Sequence, residues 1–406
     1  MARNFRERVG IVLRNPRALG EFPKYILHNK IYNRYMERPG PVFNMWLMDS
    51  AWRARLIQKG LLPFPVGGKT VLARMVNTRV LYGSQIRGRV DLPKPSHVQV
   101  NMNCRVRNLT VRSDARLLID NGTTVSDLEV GQDTIVSPNG QVKGQRVGRP
   151  GVFFTVDFEG AIGYEHGKPC HRIPAFNSRE SSTRLISMLE KWEIPASWFV
   201  CGHLFLQECN GEHPYAELDW DGVDWFRYDP ATNWKENSSW YLPDLVEHLV
   251  GEPLFEVGYH SFAHMLHVRM TDESIRKDAE FAKDLRAEWN IPFDSFAFPT
   301  NEPSRMELLV RHGFRRFRGL LGASPGAGAV LYPGFSFLNS TGFLSRGTRL
   351  ATLDRIAKQP YSSLFTHAHD WISKGDFALL ETLLKRLHDL RATGLPLLRV
   401  RDIPVR

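Results

Sequence analysis

From Gly151 onward, strand-like runs and helical stripes take turns along the chain, and this alternation restricts the fold more than any other feature. Strand-like runs stand at residues 151–158, 196–200, 255–260, 294–298, 314–318, 361–366 and 397–400. Between them, Leu185, Met188, Leu189 and Trp192 have the i, i+3, i+4, i+7 spacing of a buried helical stripe. Ile275, Ala279, Ala282, Leu285 and Trp289 mark a second helix, and residues 306–312 and 376–391 read as two more. Such alternation predicts an α/β fold with a parallel sheet covered by helices, whose functional groups gather at the carboxyl ends of the strands.

The first of these strands reads GVFFTVDFEG over residues 151–160 and ends in two carboxylates, Asp157 and Glu159. Side chains two apart on a strand share a face, and burying two unpaired acids together costs several kcal/mol unless a cation or metal compensates. His260 and His264 follow the FEVGY strand, with a spacing that predicts one face of a helical turn; His367 and His369 follow SSLFT. Two histidines joined by a carboxylate from a neighbouring strand end make a His-His-carboxylate set with positions open to water and substrate.

These residues resemble the polysaccharide deacetylases of the NodB homology type (carbohydrate esterase family 4). TVDFEG is similar to the family's strand with a catalytic aspartate and a metal-binding carboxylate, in a DxE version, and His260-Ser-Phe-Ala-His264 is similar to its H-[ST]-x-x-H motif. EIPASWFV (193–200), FAFPTN (296–301) with the later Arg318-Gly319, and SLFTH (363–367) resemble further motifs in the right order, so the resemblance spans about residues 150–406. It implies a distorted (β/α)7-type barrel that hydrolyses an N-acetyl group from a sugar, in nucleotide-linked, lipid-linked or oligosaccharide form, during assembly of a bacterial-type surface polysaccharide or glycolipid. It implies one divalent ion, zinc by ligand type, on Glu159, His260 and His264, with Asp157 as general base and His367 as general acid. Pro299, Asn301, Arg318, His369 and Trp225 are the expected substrate contacts. Trp225 belongs to a group with Trp220, Trp234 and Trp240 that either stacks on sugar as a lid or anchors an insertion.

In two respects this chain departs from the pattern, the first being that its metal carboxylate, Glu159, stands one residue further along than in the adjacent-aspartate version. The family's third motif carries an arginine that orients the catalytic aspartate, and Ala297 stands at that place; Arg315, Arg316 and Arg318 are the nearby replacements. A catalytically silent barrel that binds glycan or scaffolds a complex, and an amidohydrolase acting on a non-sugar amide, are therefore the competing readings.

The remaining chain is organised differently. Residues 1–92 read as a basic, partly helical region, 93–149 as a β-rich segment with a linker, and 150–406 as the catalytic domain. Val106-Arg-Asn-Leu109-Thr-Val111 is echoed by Val125-Ser-Asp-Leu128-Glu-Val130, a repeat that predicts either coils of a short β-solenoid or paired strands of a sandwich. GGKT at 67–70 fails as a phosphate loop because Pro63 stands where its first glycine belongs. Net charge of +10 favours acidic partners, yet no nucleic-acid motif is present. Nine Lys or Arg against three Glu in residues 1–40, interleaved with apolar side chains, suggest peripheral contact with an anionic membrane. The five-residue apolar run between Arg8 and Arg14 is too short for a secretory signal, and the four cysteines have no CxxC pair, which together suggest a cytoplasmic protein with free thiols. The uncharged run 319–345, rich in Gly, Ser and Pro, reads as a loop.

Overall fold

The computed structural model describes residues 78–80, 84–92, 97–112, 114–160, 178–213, 229–268, 270–323, 325–345 and 347–406. The basic segment 1–40, the GGKT stretch and Trp225 lie outside the described residues. The chain divides into two compact units, residues 1–141 and 142–406.

The described residues of the first unit form a β-solenoid. Strands β1 (Thr78–Val80), β3 (His97–Val100), β5 (Arg116–Ile119), β7 (Thr134–Ser137) and β8 (Gly140–Lys143) form one sheet, and β2 (Gln85–Asp91), β4 (Arg105–Val111) and β6 (Thr124–Val130) the other. The sequence repeat is the stacking register itself, since Val106, Leu109 and Val111 of β4 pair in parallel with Val125, Leu128 and Val130 of β6. The sandwich alternative is thereby set aside. Coils begin at β1 and β2, within the segment read from sequence as partly helical. Each coil points its apolar residues inward, among them Ile86, Val98, Val106, Leu109, Leu117, Ile119 and Leu128. Corners recur with the repeat: Asn108 and Asp127 both take left-handed φ (53° and 55°), as do Asn103 and Gly122 (58° and 72°). Asn and Asp tolerate that conformation because a short polar side chain bonds locally; here Asn108 Nδ2 also bonds Asp127 across the coils at 2.6 Å. Inside, Asn101 Nδ2 donates to Asp120 Oδ1 at 3.1 Å, joining positions 19 apart.

The second unit is the α/β domain. Its strands are β9 (Gln145–Val147), β10 (Val152–Phe158), β11 (Ala196–Val200), β12 (Phe255–Tyr259), β13 (Ser295–Ala297), β14 (Arg316–Gly319), β15 (Ala329–Tyr332), β16 (Phe335–Asn339), β17 (Gly342–Phe343), β18 (Ser362–His367) and β19 (Leu397–Leu398). They join as β17-β18-β10-β11-β12-β13-β14-β16-β15-β9, with β19 also on β10. All pairs are parallel except β16 with β15 and β15 with β9. The helices α1 (Ser178–Lys191), α2 (Pro243–Gly251), α3 (Asp272–Glu288), α4 (Met306–Arg311), α5 (Leu350–Ala357) and α6 (Lys374–Ala392) lie between strands, as the alternation predicted.

The run 319–345 is not a loop. It supplies β15, β16 and β17, because Val330, Tyr332, Phe335, Phe337 and Leu338 are buried apolar residues that outweigh the turn-forming neighbours. β10 is buried along its whole length, as a strand flanked on both sides by parallel partners must be. Three of the four cysteines, Cys104, Cys201 and Cys209, are free thiols; Cys170 lies outside the described residues. Among the described residues, no helix is long and apolar enough to cross a membrane.

Candidate active site

The carboxyl ends of adjacent parallel strands bring the predicted residues to one level. Asp157 of β10 is the register partner of His367 on β18, and His260 follows the last residue of β12. Glu159 stands two residues beyond Asp157, and both carboxylates are buried. Gly160 then turns the chain with φ 57°, and a Cβ there would lie 2.6 Å from the Ser239 carbonyl oxygen, so only glycine lets the strand leave this way.

Three imidazoles converge on one oxygen of Glu159. The Nε2 atoms of His260, His264 and His367 stand 3.4, 3.3 and 3.4 Å from its Oε1. Asp157 Oδ2 is 3.9 Å from Nε2 of both His260 and His367. Burial alone would raise the Glu159 pKa, but the neighbouring imidazoles, first the charges of His264 and His367, outweigh it and hold the carboxyl well below its usual range.

The residues fit a metal by donor chemistry. His260 Nδ1 donates to the Ala297 carbonyl at 2.8 Å, which fixes the tautomer and leaves the Nε2 lone pair facing Glu159. That Nε2 is buried and has no hydrogen-bond partner, an expensive condition unless a cation takes it. Glu159, His260 and His264 together offer three donor atoms within 4.8 Å of one another.

The histidine pair is not on a helical turn. Residues 261–264 form an irregular turn in which Ser261 (φ 58°) and His264 (φ 54°) are left-handed. This turn is pinned from beneath by Asp278 of α3, a fully buried carboxylate that accepts from Phe262 N (2.7 Å), Tyr259 Oη (2.8 Å) and His267 Nε2 (3.1 Å). Sequence reasoning passed over Asp278, although an acid three residues after Ile275 within an apolar stripe was a readable signal.

Arg318 stands beside the place of the absent motif arginine. It is the register partner of Ala297 on the next strand, so the guanidinium arrives at the same level from β14 instead of β13. One nitrogen, Nη2, donates to both Asp157 oxygens, at 2.5 and 2.6 Å, and Nη1 donates to Asn301 Oδ1 at 3.1 Å. The rings of Phe199 and Phe365 lie 5.4 and 5.0 Å from the guanidinium carbon. With no exposed surface, Arg318 is placed to orient Asp157 and not to reach substrate, and Asn301 is engaged with it. Of the alternatives, Arg316 pairs with Asp294, and Arg315 bonds the Val310 and Phe314 carbonyls.

His367 is half-buried, and Asp370 accepts from its Nδ1 at 2.8 Å, turning Nε2 toward the carboxylates. Burial would lower its pKa, but the negative charges of Glu159, Asp370 and Asp157 and the Asp370 hydrogen bond together raise it to about 10. The ring of His369 stacks on that of His367 with centroids 4.8 Å apart. Pro299 is buried at the start of a 3-10 turn. Trp240, also buried, packs its ring edge-on to His203, which is the anchoring role for that tryptophan.

No curated protein sequence matches the chain. A polysaccharide deacetylase-like protein of Mycobacterium smegmatis superposes with a TM-score of 0.41 at 14% identity over 64% of this chain and 94% of its own. A family 4 carbohydrate esterase from Bacillus anthracis superposes at 0.36 and 17% identity over 64% and 85%. A family 4 acetyl xylan esterase from Clostridium thermocellum, solved with a cobalt ion, does so at 0.35 and 13% over 62% and 89%. The family model for polysaccharide deacetylases matches residues 164–306, which contain His260, His264, Pro299 and Asn301, while Asp157, Glu159, Arg318 and His367 flank the match. Over residues 164–306 the chain is therefore similar to the polysaccharide deacetylases.

Proposed function

We propose that the protein is a metal-dependent sugar de-N-acetylase. The observation that carries this reading is the convergence of three imidazole Nε2 atoms on Glu159 beside an Asp157 held by a buried arginine. Glu159, His260 and His264 would hold one divalent ion, zinc by ligand type, which supplies a Lewis acid for the acetyl carbonyl at neutral pH. Arg318 fixes the plane of Asp157, whose Oδ2, facing His260 and His367, accepts the proton of the attacking water. His367 Nε2 then gives a proton to the departing amine nitrogen, so that water and amide become acetate and amine. Asp370 holds the Nδ1 proton throughout, and the charge of Glu159 together with Asp370 and Asp157 keeps the imidazole cationic near neutrality.

In this reading the seven parallel strands β18-β10-β11-β12-β13-β14-β16 would form the expected distorted barrel, and Pro299, Asn301, His369 and Trp225, the last outside the described residues, would be the substrate contacts. We retain the division into 1–92, 93–149 and 150–406, the cytoplasmic location and the membrane contact of residues 1–40 as parts of the same proposal, in which the substrate is an N-acetylated sugar of surface-polysaccharide or glycolipid synthesis. Incubation with N-acetylated nucleotide sugars, lipid-linked sugars and oligosaccharides, with acetate measured, tests it. Stoichiometric metal without acetate release from any of them would favour the silent, glycan-binding alternative.

A further inference from the structure

A second cluster of donor atoms lies in the same unit, on the chain that follows β11. His203 lies in a 3-10 turn (Gly202–Phe205), and Cys209, His213 and Asp229 follow it. His203 Nε2 and His213 Nε2 point at one oxygen, Asp229 Oδ2, at 3.0 and 2.7 Å. Cys209 Sγ lies 3.6 Å from His203 Nε2 and 3.3 Å from the same Asp229 oxygen. The His203 and Asp229 side chains are 0% and 1% exposed and that of His213 6%, so the meeting point is closed to solvent.

The protons of His203 do not suit a plain hydrogen-bond network. Its Nδ1 lies 3.0 Å from the Trp240 carbonyl, which can only accept, so Nδ1 carries the hydrogen. A neutral imidazole then turns a lone pair, not a proton, toward the Asp229 carboxylate. Either His203 is doubly protonated or a cation stands between them. Burial would lower its pKa, while bonds to Asp229 and Cys209 raise it to about 9. An imidazolium leaves the Cys209 thiol only its weak contacts with Asp229 at 3.3 Å and Tyr241 Oη at 3.2 Å. A divalent cation uses all four groups, because one carboxylate and one thiolate cancel its charge while two neutral imidazoles complete the set.

The surrounding bonds aim the donors. Asp229 Oδ1 is occupied by Ala231 N at 2.9 Å and Tyr241 Oη at 3.2 Å, which leaves Oδ2 for the cluster. With zinc bond lengths of about 2.0–2.3 Å, tetrahedral donors lie roughly 3.3–3.7 Å apart. Two of the separations, 3.3 and 3.6 Å, lie at that spacing, two, 2.7 and 3.0 Å, are shorter, and all four donor atoms fall within 4.8 Å of one another.

We propose that His203, Cys209, His213 and Asp229 form a second metal site, a closed four-donor zinc site that supports structure and takes no part in hydrolysis. Its position gives it a task. Gly202 N donates to the Ser261 carbonyl and His203 N to the Phe262 carbonyl, both at 2.9 Å, and the Phe262 ring lies 5.4 Å from His203 and 5.0 Å from His213. The cluster therefore braces the irregular turn that presents His264. Binding releases the Cys209 proton and any second proton of His203 to solvent, with no change of oxidation state.

The test uses the full chain, stripped of metal and reconstituted with Zn²⁺ alone or Co²⁺ alone. The expected zinc content is two per chain, falling to one in Cys209→Ser and, separately, to one in the His260→Ala with His264→Ala variant. Cobalt should give a thiolate charge-transfer band in the wild type and in the His260/His264 variant, but not in Cys209→Ser. Failure of the first site would leave that band in place, so the two sites are judged apart. Should Cys209→Ser not fold, Cys209→His is expected to keep two metals and lose the band. A folded wild type without the band, or a band that survives either change at Cys209, overturns the proposal.

Discussion

The two histidine clusters of the α/β domain are built from similar parts toward opposite ends. In the cluster on Glu159, one histidine, His367, stays 21% exposed, and the donors offered to a metal number three. In the cluster on Asp229 four donors are offered and all its His and Asp side chains are nearly sealed. An incomplete and accessible set can admit substrate and water; a complete and buried one can only hold the chain. Strand ends fix the first cluster, so its residues come from β10, β12 and β18. Irregular chain forms the second, where no sheet would hold four side chains together and the donors themselves must do it.

The contrast can be broken most severely by removing His260 and His264 together. Alanine at both should abolish acetate release and remove one metal equivalent by elemental analysis, leaving the far-UV spectrum unchanged. Asp157→Asn should keep its metal and fall by about 10²–10⁴ in kcat, the worth of general-base assistance; loss of the metal would instead make Asp157 a ligand. Arg318→Leu leaves that carboxylate buried and unpaired, and breaking such a pair costs about 3–5 kcal/mol, readable as a lower denaturation midpoint. Arg318→Lys should recover part of it, since an ammonium restores charge without the planar fork.

A milder change sharpens the comparison. Asp370 contributes to the raised pKa of His367, and the proposed acid must be protonated to act. Asp370→Asn should therefore lower that pKa and move the alkaline limb of the kcat profile to lower pH, with a loss smaller than the ~10²-fold floor for complete proton transfer. The smallest effect is expected outside both clusters, at the half-exposed ion pair of Arg179 on α1 with Asp244 on α2. The Arg179 hydrogen bond depresses the Asp244 pKa below 3.8, so its contribution is present above that pH and fades as pH falls through the lowered value. Solvent screening limits it to about 1 kcal/mol or less, so Asp244→Asn should shift the urea midpoint slightly at pH 7 and hardly at all at the acid end.

What could be read from sequence follows from what each part depends on. Strand and helix alternation depends on local periodicity, and it placed β10, β12, β18 and the long α6 closely. Asp157, Glu159, His260, His264 and His367 were legible because strand ends are local features and the sheet aligns them. Arg318 was legible only as one of three candidates, since register between β13 and β14 decides which arginine meets Asp157, and register is a long-range property. The second cluster escaped because His203-x5-Cys209-x3-His213-x15-Asp229 matches no regular element, and a lone cysteine suggests no ligand. The 19-residue echo pointed to two architectures, and only parallel pairing of Val106 with Val125 chose between them.

That pairing has a consequence for how the first unit can change length. Each coil adds one rung of about 4.8 Å along the stack and returns the chain to the same lateral point, because Asn108 and Asp127 turn the same corner one rung apart. An insertion or deletion of one full coil would therefore lengthen or shorten the unit like a link in a chain, preserving the path at either end. A change of a few residues would shift every inward side chain beyond it out of step. Among natural variants of this chain, length differences in the solenoid should come in multiples of a coil, close to 19 residues, while the corner positions tolerate only Asn, Asp or Gly.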